Sequence, residues 1–273
     1  MPQIINTNIP SLTAQRNLNT SQGSLSVALN RLSSGLRVNS AKDDAAGLAI
    51  ATRLEAQSRG MGMAIRNAND AISFVQTAEG GIAKINEALQ RMRELAVQAA
   101  NGTYTASDRE NLDAEFQQLS AEVARVAAQT EFNGLAMFNG TAGSQTFQVG
   151  ANVGQTIAIQ IGAFTGSSIT QNGLSINTPG SATSVLTAID LAMNTVNTQR
   201  ANLGGAMSRL DAVVSQLQVS RENQEASRSR IMDADYAEET ARLTRAQILQ
   251  QAGTAMLSQA NSVPNNVLSL LRQ

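Results

Sequence analysis

The sequence contains no cysteine, no histidine and no tryptophan, and only 3% of its 273 residues are aromatic. Without thiol or imidazole there is no Ser-His-Asp or Cys-His nucleophile, no imidazole base, no usual zinc site and no iron–sulfur cluster. Disulfides and thiol switches are excluded as well, although a lack of cysteine suits any compartment. Charge is scarce, at 15% of residues, where about 25% is ordinary. A net charge of -1 excludes a generally basic surface for nucleic acid. No run of about 18 apolar residues exists to span a membrane. The first thirty residues carry only Arg16 and no continuous apolar core, so no cleaved signal peptide is expected. Cofactors, nucleic acid and membrane are therefore not expected partners, and neither is an enzymatic activity.

Of the 20 basic residues, only Lys42 and Lys84 are lysine. Arginine's planar fork suits fixed, partly dehydrated ion pairs at packed interfaces; codon usage in a GC-rich genome is the alternative reading. Two stretches carry no charge at all, Phe132–Ile189 and Ala246–Leu271. The second is an unusual end for a soluble chain, because termini are normally exposed and polar. Its polarity comes from Gln, Asn, Ser and Thr, and it holds Ile248, Leu249, Met256, Leu257, Val263, Val267, Leu268, Leu270 and Leu271. Burial against another copy or a partner is the simplest explanation; a C-terminal helix docking on the chain's own core is the alternative.

Hydrophobic spacing points to long helices. From Leu186 to Ile231, 14 positions follow alternating steps of three and four, and ten are apolar. This is the 3.5-residue seam of a coiled coil or bundle. Earlier seams run through Leu18, Leu25, Leu29, Leu32 and Leu36; through Ile65, Ala68, Ile72, Val75, Ile82, Ile85, Leu89, Met92, Ala96 and Ala99; and through Leu112, Phe116, Leu119, Val123 and Val126. Glu79 and Asn86 interrupt the second of these. Ser107-Asp108-Arg109-Glu110 reads as a capping box, and Asn133-Gly134 as the stop of the third helix. In between, the period changes to two. Gln145–Val149 and Thr156–Ile161 read as a hairpin, with Leu174–Ile176 as a further strand. The expected fold is mainly α: an elongated coiled-coil or helical-bundle rod with a small β-hairpin region near the middle of the chain and both termini paired at one end. The expected divisions are 1–44 and 236–273 as the two halves of an inner terminal domain, and 45–235 as a rod core with the hairpin region at about 140–180. Two terminal helices alone bury too little surface to offset chain entropy, so they are expected to fold only on association.

Several long motifs then resemble bacterial flagellin. They are Ile5-Asn6-Thr7-Asn8, the block Arg31 to Ile50 (RLSSGLRVNSAKDDAAGLAI), the block Gln90 to Tyr104 (QRMRELAVQAANGTY), Thr130-Glu131-Phe132-Asn133-Gly134, Asp233 to Glu239 (DADYAEE), and the ending Ala260 to Arg272. The resemblance implies a short flagellin lacking large outer domains. Such a subunit would polymerise helically into the extracellular flagellar filament for motility, after export without a cleaved signal through the type III apparatus. It implies a homopolymer, with an export chaperone, a filament cap and hook-junction proteins as partners. Subunit packing is expected at Leu25, Leu29, Leu32, Leu36, Leu249, Leu257, Val267, Leu270 and Leu271, and Leu257→Asp or Leu270→Asp is expected to block polymerisation. By resemblance, Arg91 and Leu95 with Glu115 are positions read by the innate-immune flagellin receptor; the alternative is that Arg91 and Glu115 make subunit contacts and Leu95 packs at a helix surface. Ser167, Ser168, Thr170, Ser181 and Thr183 are candidates for O-glycosylation. The rival readings are a hook–filament junction protein and, from a different class, an exported coiled-coil adaptor.

Other signals carry less. Asn101-Gly102-Thr103 and Asn139-Gly140-Thr141 match the N-glycosylation pattern but read better as turns. Asp43-Asp44 and Asp233/Asp235 lack calcium-loop spacing and read as caps or salt-bridge partners. Gly60-Met61-Gly62 lacks the third glycine and preceding strand of a dinucleotide loop.

Overall fold

The computed structural model describes residues 7–164 and 173–270, and of residues 263–270 only the backbone. Helices dominate, as expected: α1 (Ile9–Ser34), α2 (Ala45–Ala100), α3 (Ala106–Gln129), α4 (Pro179–Met232) and α5 (Tyr236–Leu270). Between α3 and α4 lie two antiparallel hairpins. One joins β1 (Glu131–Phe132) to β2 (Leu135–Ala136), and the other joins β3 (Ser144–Gln148) to β4 (Thr156–Gln160). The chain forms two compact units. One comprises residues 1–56 with 223–273, and the other residues 57–222.

The 57–222 unit holds the large core. All six phenylalanines lie in it. Phe74 meets Phe132 edge-on at 5.6 Å and Phe147 at 5.5 Å, while Phe138 stacks on Phe164 at 5.1 Å. The buried line of α2 is Ala64, Ala68, Ala71, Val75, Ala78, Ile82, Ile85, Leu89, Met92, Ala96 and Ala99. This shifts the seam read from sequence. Ile65 and Ile72 flank the line, and Glu79 stands outside it, paired to Arg200 of α4 at 2.8 Å. On α4 the line Ile189, Val196, Leu203 and Leu210 is buried as expected. Among the alternate positions, Ala192 is buried in place of Met193, while Met207 and Val214 are half-buried together with their neighbours Ala206 and Val213. The physical reason is steric. Alanines fit wholly inside at Ala71 and Ala192, and the larger neighbours Ile72 and Met193 pack on the same core while half-buried.

The hairpin β3–β4 forms as expected; Phe147 stands opposite Ile157, and Ile157, Ile159 and Ile161 are buried. Its ends are tied to helices. Asn67 donates to the Gln148 carbonyl at 2.9 Å, and Gln199 to the Gln160 carbonyl at 2.7 Å.

Three sequence expectations need correction. The α3 capping box is built on Thr105, not Ser107: Thr105 is extended, and its hydroxyl accepts from the Asp108 N–H while Asp108 accepts from the Thr105 N–H. The helix starts two residues earlier because Asp108, at its third position, answers only that residue. Asn133-Gly134 does not stop α3, which ends at Gln129. Both residues have positive φ, 50° and 77°, and they turn the β1–β2 hairpin. Leu174–Ile176 is not a strand. Side chains of α3 supply the bonds a neighbouring strand would: Asp113 accepts from the Ile176 N–H at 2.7 Å, and Gln117 donates to the Leu174 carbonyl at 2.6 Å.

The end of α2 shows a device that sequence reading missed. A helix leaves its last carbonyls without intrahelical partners. Arg109, buried at the start of α3, donates from Nε to the Ala99 carbonyl at 2.9 Å and from a terminal nitrogen to the Asn101 carbonyl at 3.0 Å. Its charge also suits the negative end of the helix dipole. The Asn-Gly-Thr tripeptides are turns, with Asn101 and Asn139 accepting from the Thr103 and Thr141 N–H groups. The aspartates are caps and loop anchors. Asp44 accepts from the Gly47 N–H and Asp235 from the Ala237 N–H, at the starts of α2 and α5. Asp43 binds Ser40 and the Asn39 N–H, and its carboxyl is held below its ordinary value, first by the Ser40 hydroxyl.

Candidate assembly surface

In the unit of residues 1–56 and 223–273, α1 and α5 pair antiparallel. Arg31 meets Glu239 near one end, and Asn8 donates to the Ala260 carbonyl at 2.8 Å near the other. A second tie there joins Ser11 to Asn261 at 2.8 Å. Beside the Arg31 end, the segment after α1 is laced to the α4–α5 junction. The Arg37 N–H donates to the Met232 carbonyl, the Ala234 N–H to the Gly35 carbonyl, and Leu36 bridges Asp233.

The seam of this pair mixes five leucines with small and polar residues. The inward line of α1 is Ser11, Ala14, Leu18, Ser21, Leu25, Ala28 and Leu32. That of α5 is Glu239, Leu243, Ala246, Gln250, Gly253, Leu257 and Ala260. Gly253 lets the helices close: a Cβ there would stand 3.3 Å from Leu18. Large apolar side chains face outward instead: Ile9, Leu12, Val27 and Leu29 from α1, and Ile248, Leu249 and Met256 from α5. Met256 is 64% exposed and Ile248 59%. An intrachain pair optimised for itself would place these chains in the seam, since burying one is worth about 1.5–3 kcal/mol.

The residues proposed for packing thus divide. Leu25, Leu32, Leu36 and Leu257 are half-buried within the chain, whereas Leu29 and Leu249 are exposed. Leu29 stands off the seam, because the alternating steps pass through Ala28. Val267 and Leu270 belong to the backbone of α5, with side chains outside the described residues, and Leu271 lies outside them altogether. Sequence reading missed Glu239, which is buried between Arg31 at 3.7 Å and Arg242 at 3.8 Å. Its position on the seven-residue line was the available signal.

The remaining candidates lie in the other unit. Arg91 and Glu115 are brought together, with a 2.8 Å ion pair across α2 and α3 on an exposed face, and Arg91 also meets Glu94 at 2.9 Å. The bonds to Glu94 and then Glu115 hold the Arg91 guanidinium above its ordinary value. Leu95 is buried in the core at 1% exposure and does not lie at a helix surface. Ser181 is committed to the start of α4, where its N–H donates to the Thr178 hydroxyl and its own hydroxyl accepts from the Thr178 N–H. Thr183 is exposed and donates to the Pro179 carbonyl. Ser167, Ser168 and Thr170 lie outside the described residues. Among the described residues, no three His, Cys, Asp or Glu side chains are placed to hold a metal ion, and no helix is long and apolar enough to cross a membrane.

Residues 5–143 match the model of the bacterial flagellin N-terminal helical region, and residues 186–271 that of the C-terminal helical region. The chain is 43% identical to a flagellin of Halalkalibacterium halodurans, over 98% of this chain and all of that protein. It is 41% identical to a flagellin of Xenorhabdus nematophila over the full length of both, and 39% identical to flagellin FlaB1 of Treponema pallidum over 98% of this chain and all of that one. Among solved structures, Bacillus cereus flagellin is 32% identical with a TM-score of 0.52, covering 56% of this chain and 88% of that one. A putative hook-associated protein of Vibrio parahaemolyticus shares the fold at 18% identity, with a TM-score of 0.61 over 70% of this chain and 100% of that one. Both flagellin regions are thus matched in order and the likeness runs over the full length of the relatives, so the chain belongs to the bacterial flagellin family.

Proposed function

We propose that copies of this chain polymerise through the α1/α5 pair into a helical flagellar filament outside the cell. The observation that carries this reading is the outer face of that pair, where Ile9, Leu12, Val27, Leu29, Ile248, Leu249 and Met256 stand exposed while small and polar residues share the seam with the leucines. Neighbouring copies supply the cover those side chains lack. A head-to-tail contact of this kind does not close, so assembly extends. The uncharged run Ala246–Leu271 suits an inner wall wetted by amides and hydroxyls. The terminal helices then fold fully on association, because their own pairing buries little.

The test is seeded growth. Purified protein added to sheared seeds yields long tubes in electron microscopy. A defined small oligomer in light scattering would support the exported-adaptor reading instead, and failure to extend seeds the junction-protein reading. The two matched flagellin regions and the full-length relatives favour the filament subunit over the junction protein.

The finer parts of the reading follow from it. Export runs through the flagellar type III route without cleavage, and a chaperone, a filament cap and hook-junction proteins are transient partners. Residues 1–44 with 236–273 form the inner terminal domain and 45–235 the rod core. The innate-immune receptor reads the exposed Arg91–Glu115 pair, while the buried Leu95 fixes the helix that presents it. Of the glycosylation candidates in the described residues, the exposed Thr183 is the better acceptor, since modifying Ser181 would break a helix cap.

A further inference from the structure

A groove of about 830 Å³ runs along the α1/α5 pair. Its lining includes Arg31, Arg242 and Arg245, with Val27 and Leu249 as exposed apolar walls. The three arginines are unequally committed. Arg242 is taken up by Glu238 and Glu239. Arg31 reaches Glu239 only at 3.7 Å, and its Nε is buried without an acceptor. Arg245 has no ion pair among the described residues, four positions from Leu249 on the same face. The groove therefore offers cationic donors in surplus beside uncovered apolar surface.

A matching surface exists in the other unit. On α4 the exposed residues Asp211, Ser215, Val219 and Glu222 follow steps of four, four and three, which place them on one helix face. Neither carboxylate has an ion pair among the described residues, and no basic residue lies on the stripe. Val219 is 55% exposed and stands one turn from Glu222. The net charges are opposed too. Residues 1–56 and 223–273 hold ten basic and eight acidic groups, and residues 57–222 hold ten and thirteen.

We propose that the basic groove of one copy receives the acidic α4 face of a second copy, with Arg245 paired to Glu222 and Leu249 packed on Val219. This rests on the polymer reading and names one contact within it. Arginine suits the role, since its fork holds a carboxylate with two parallel bonds at a partly dehydrated interface. Complementary charge also fixes which surfaces meet, more than how tightly.

The experiment is charge exchange. The critical concentration for seeded growth is measured by sedimentation for the full chain, for Arg245→Glu, for Glu222→Arg and for the double variant. Each single change is expected to raise it by about tenfold, and the double change to bring it back to within about threefold. Both positions are exposed, so circular dichroism melts of the monomers should coincide with the parent. Unaffected single variants, or a double variant no better than the singles, would overturn the pairing and leave the polymer reading standing. A parent chain that fails to extend seeds would overturn both.

Discussion

Met256 offers the most direct measure of what the outer face of the α1/α5 pair contributes to assembly. The side chain is 64% exposed in the single chain. Complete burial of a methionine is worth about 1.5–3 kcal/mol, so about 1–2 kcal/mol is left for a neighbouring copy to collect. Met256→Ala removes most of that and should raise the critical concentration about 5- to 30-fold. Met256→Asp adds the cost of placing a carboxylate against apolar surface, several kcal/mol, and should abolish growth at accessible concentrations. Neither change touches the seam, so the monomer's thermal transition should stay within about 1 °C of the parent. Ile248, 59% exposed and two turns away, should behave alike, and the double alanine variant should be close to additive. The assay is sedimentation of seeded mixtures across a concentration series, with the supernatant read at its plateau. An unchanged plateau for Met256→Asp would refute the reasoning. Leu257 is the poorer probe, because it is half-buried in the seam and its substitution perturbs the intrachain pair as well.

The 57–222 unit should respond to different changes. Arg109→Ala forfeits two charge-assisted bonds to the carbonyls of Ala99 and Asn101 and should cost about 3 kcal/mol in urea unfolding, whereas Arg93→Ala, which breaks an exposed pair with Asp190, should cost under about 1 kcal/mol. Adjacent glycines on α2 should give opposite signs: Gly80→Ala meets nothing within 4 Å and should stabilise by up to about 1 kcal/mol, while Gly81→Ala puts a Cβ 2.8 Å from Phe138 and should destabilise on the same melt. The Asp108 carboxyl is held below its ordinary value, first by the Thr105 hydroxyl and then by the Thr105 N–H. A lowered folded value means that the cap's contribution is complete above about pH 4 and is lost as pH falls through that folded value. The gap in melting temperature between the parent and Asp108→Asn should accordingly be constant near neutrality and shrink in acid; a gap that widens in acid would contradict the cap.

Much of the fold was legible because helix and hairpin leave different periods in a sequence. The line Ile189, Val196, Leu203, Leu210 and the alternation of Ile157, Ile159 and Ile161 are stated by apolar residues alone, and both are buried as read. Where a large apolar residue stands next to an alanine, the larger one misleads. Ile65 and Ile72 point the seam of α2 toward Glu79, yet the fully buried residues there are Ala64, Ala71 and Ala78. Volume, not hydrophobicity, decides which of two adjacent apolar residues faces a helix at short distance. The Asn133-Gly134 turn was visible but assigned to a helix stop, since two-residue strands leave no alternating run to flank it. Arg109 was illegible for another reason: its partners are main-chain carbonyls, which have no letter of their own. The assembly face was legible only as a surplus of apolar residues without charge; which of them point outward depends on the register of two helices more than 200 residues apart.

The distribution of bulk explains why one chain needs neighbours for one unit and not for the other. The 57–222 unit owns every phenylalanine and most of the fully buried large aliphatic side chains, and it seals its helix end with Arg109. The unit of residues 1–56 and 223–273 owns no phenylalanine, and its buried line includes Ser11, Ser21, Ala28, Ala246 and Ala260. Small residues gain little from burial, at about 25 cal/mol per Å², while each ordered residue costs on the order of 1–2 kcal/mol in chain entropy. The seam specifies the register, through Arg31–Glu239, Asn8–Ala260 and the close approach at Gly253, and leaves seven large apolar side chains outside it. Register without stability is what a subunit requires if it is to stay unassembled until copies meet and then to meet them in one way. Moving the large side chains inward would secure the monomer and remove the driving force for growth.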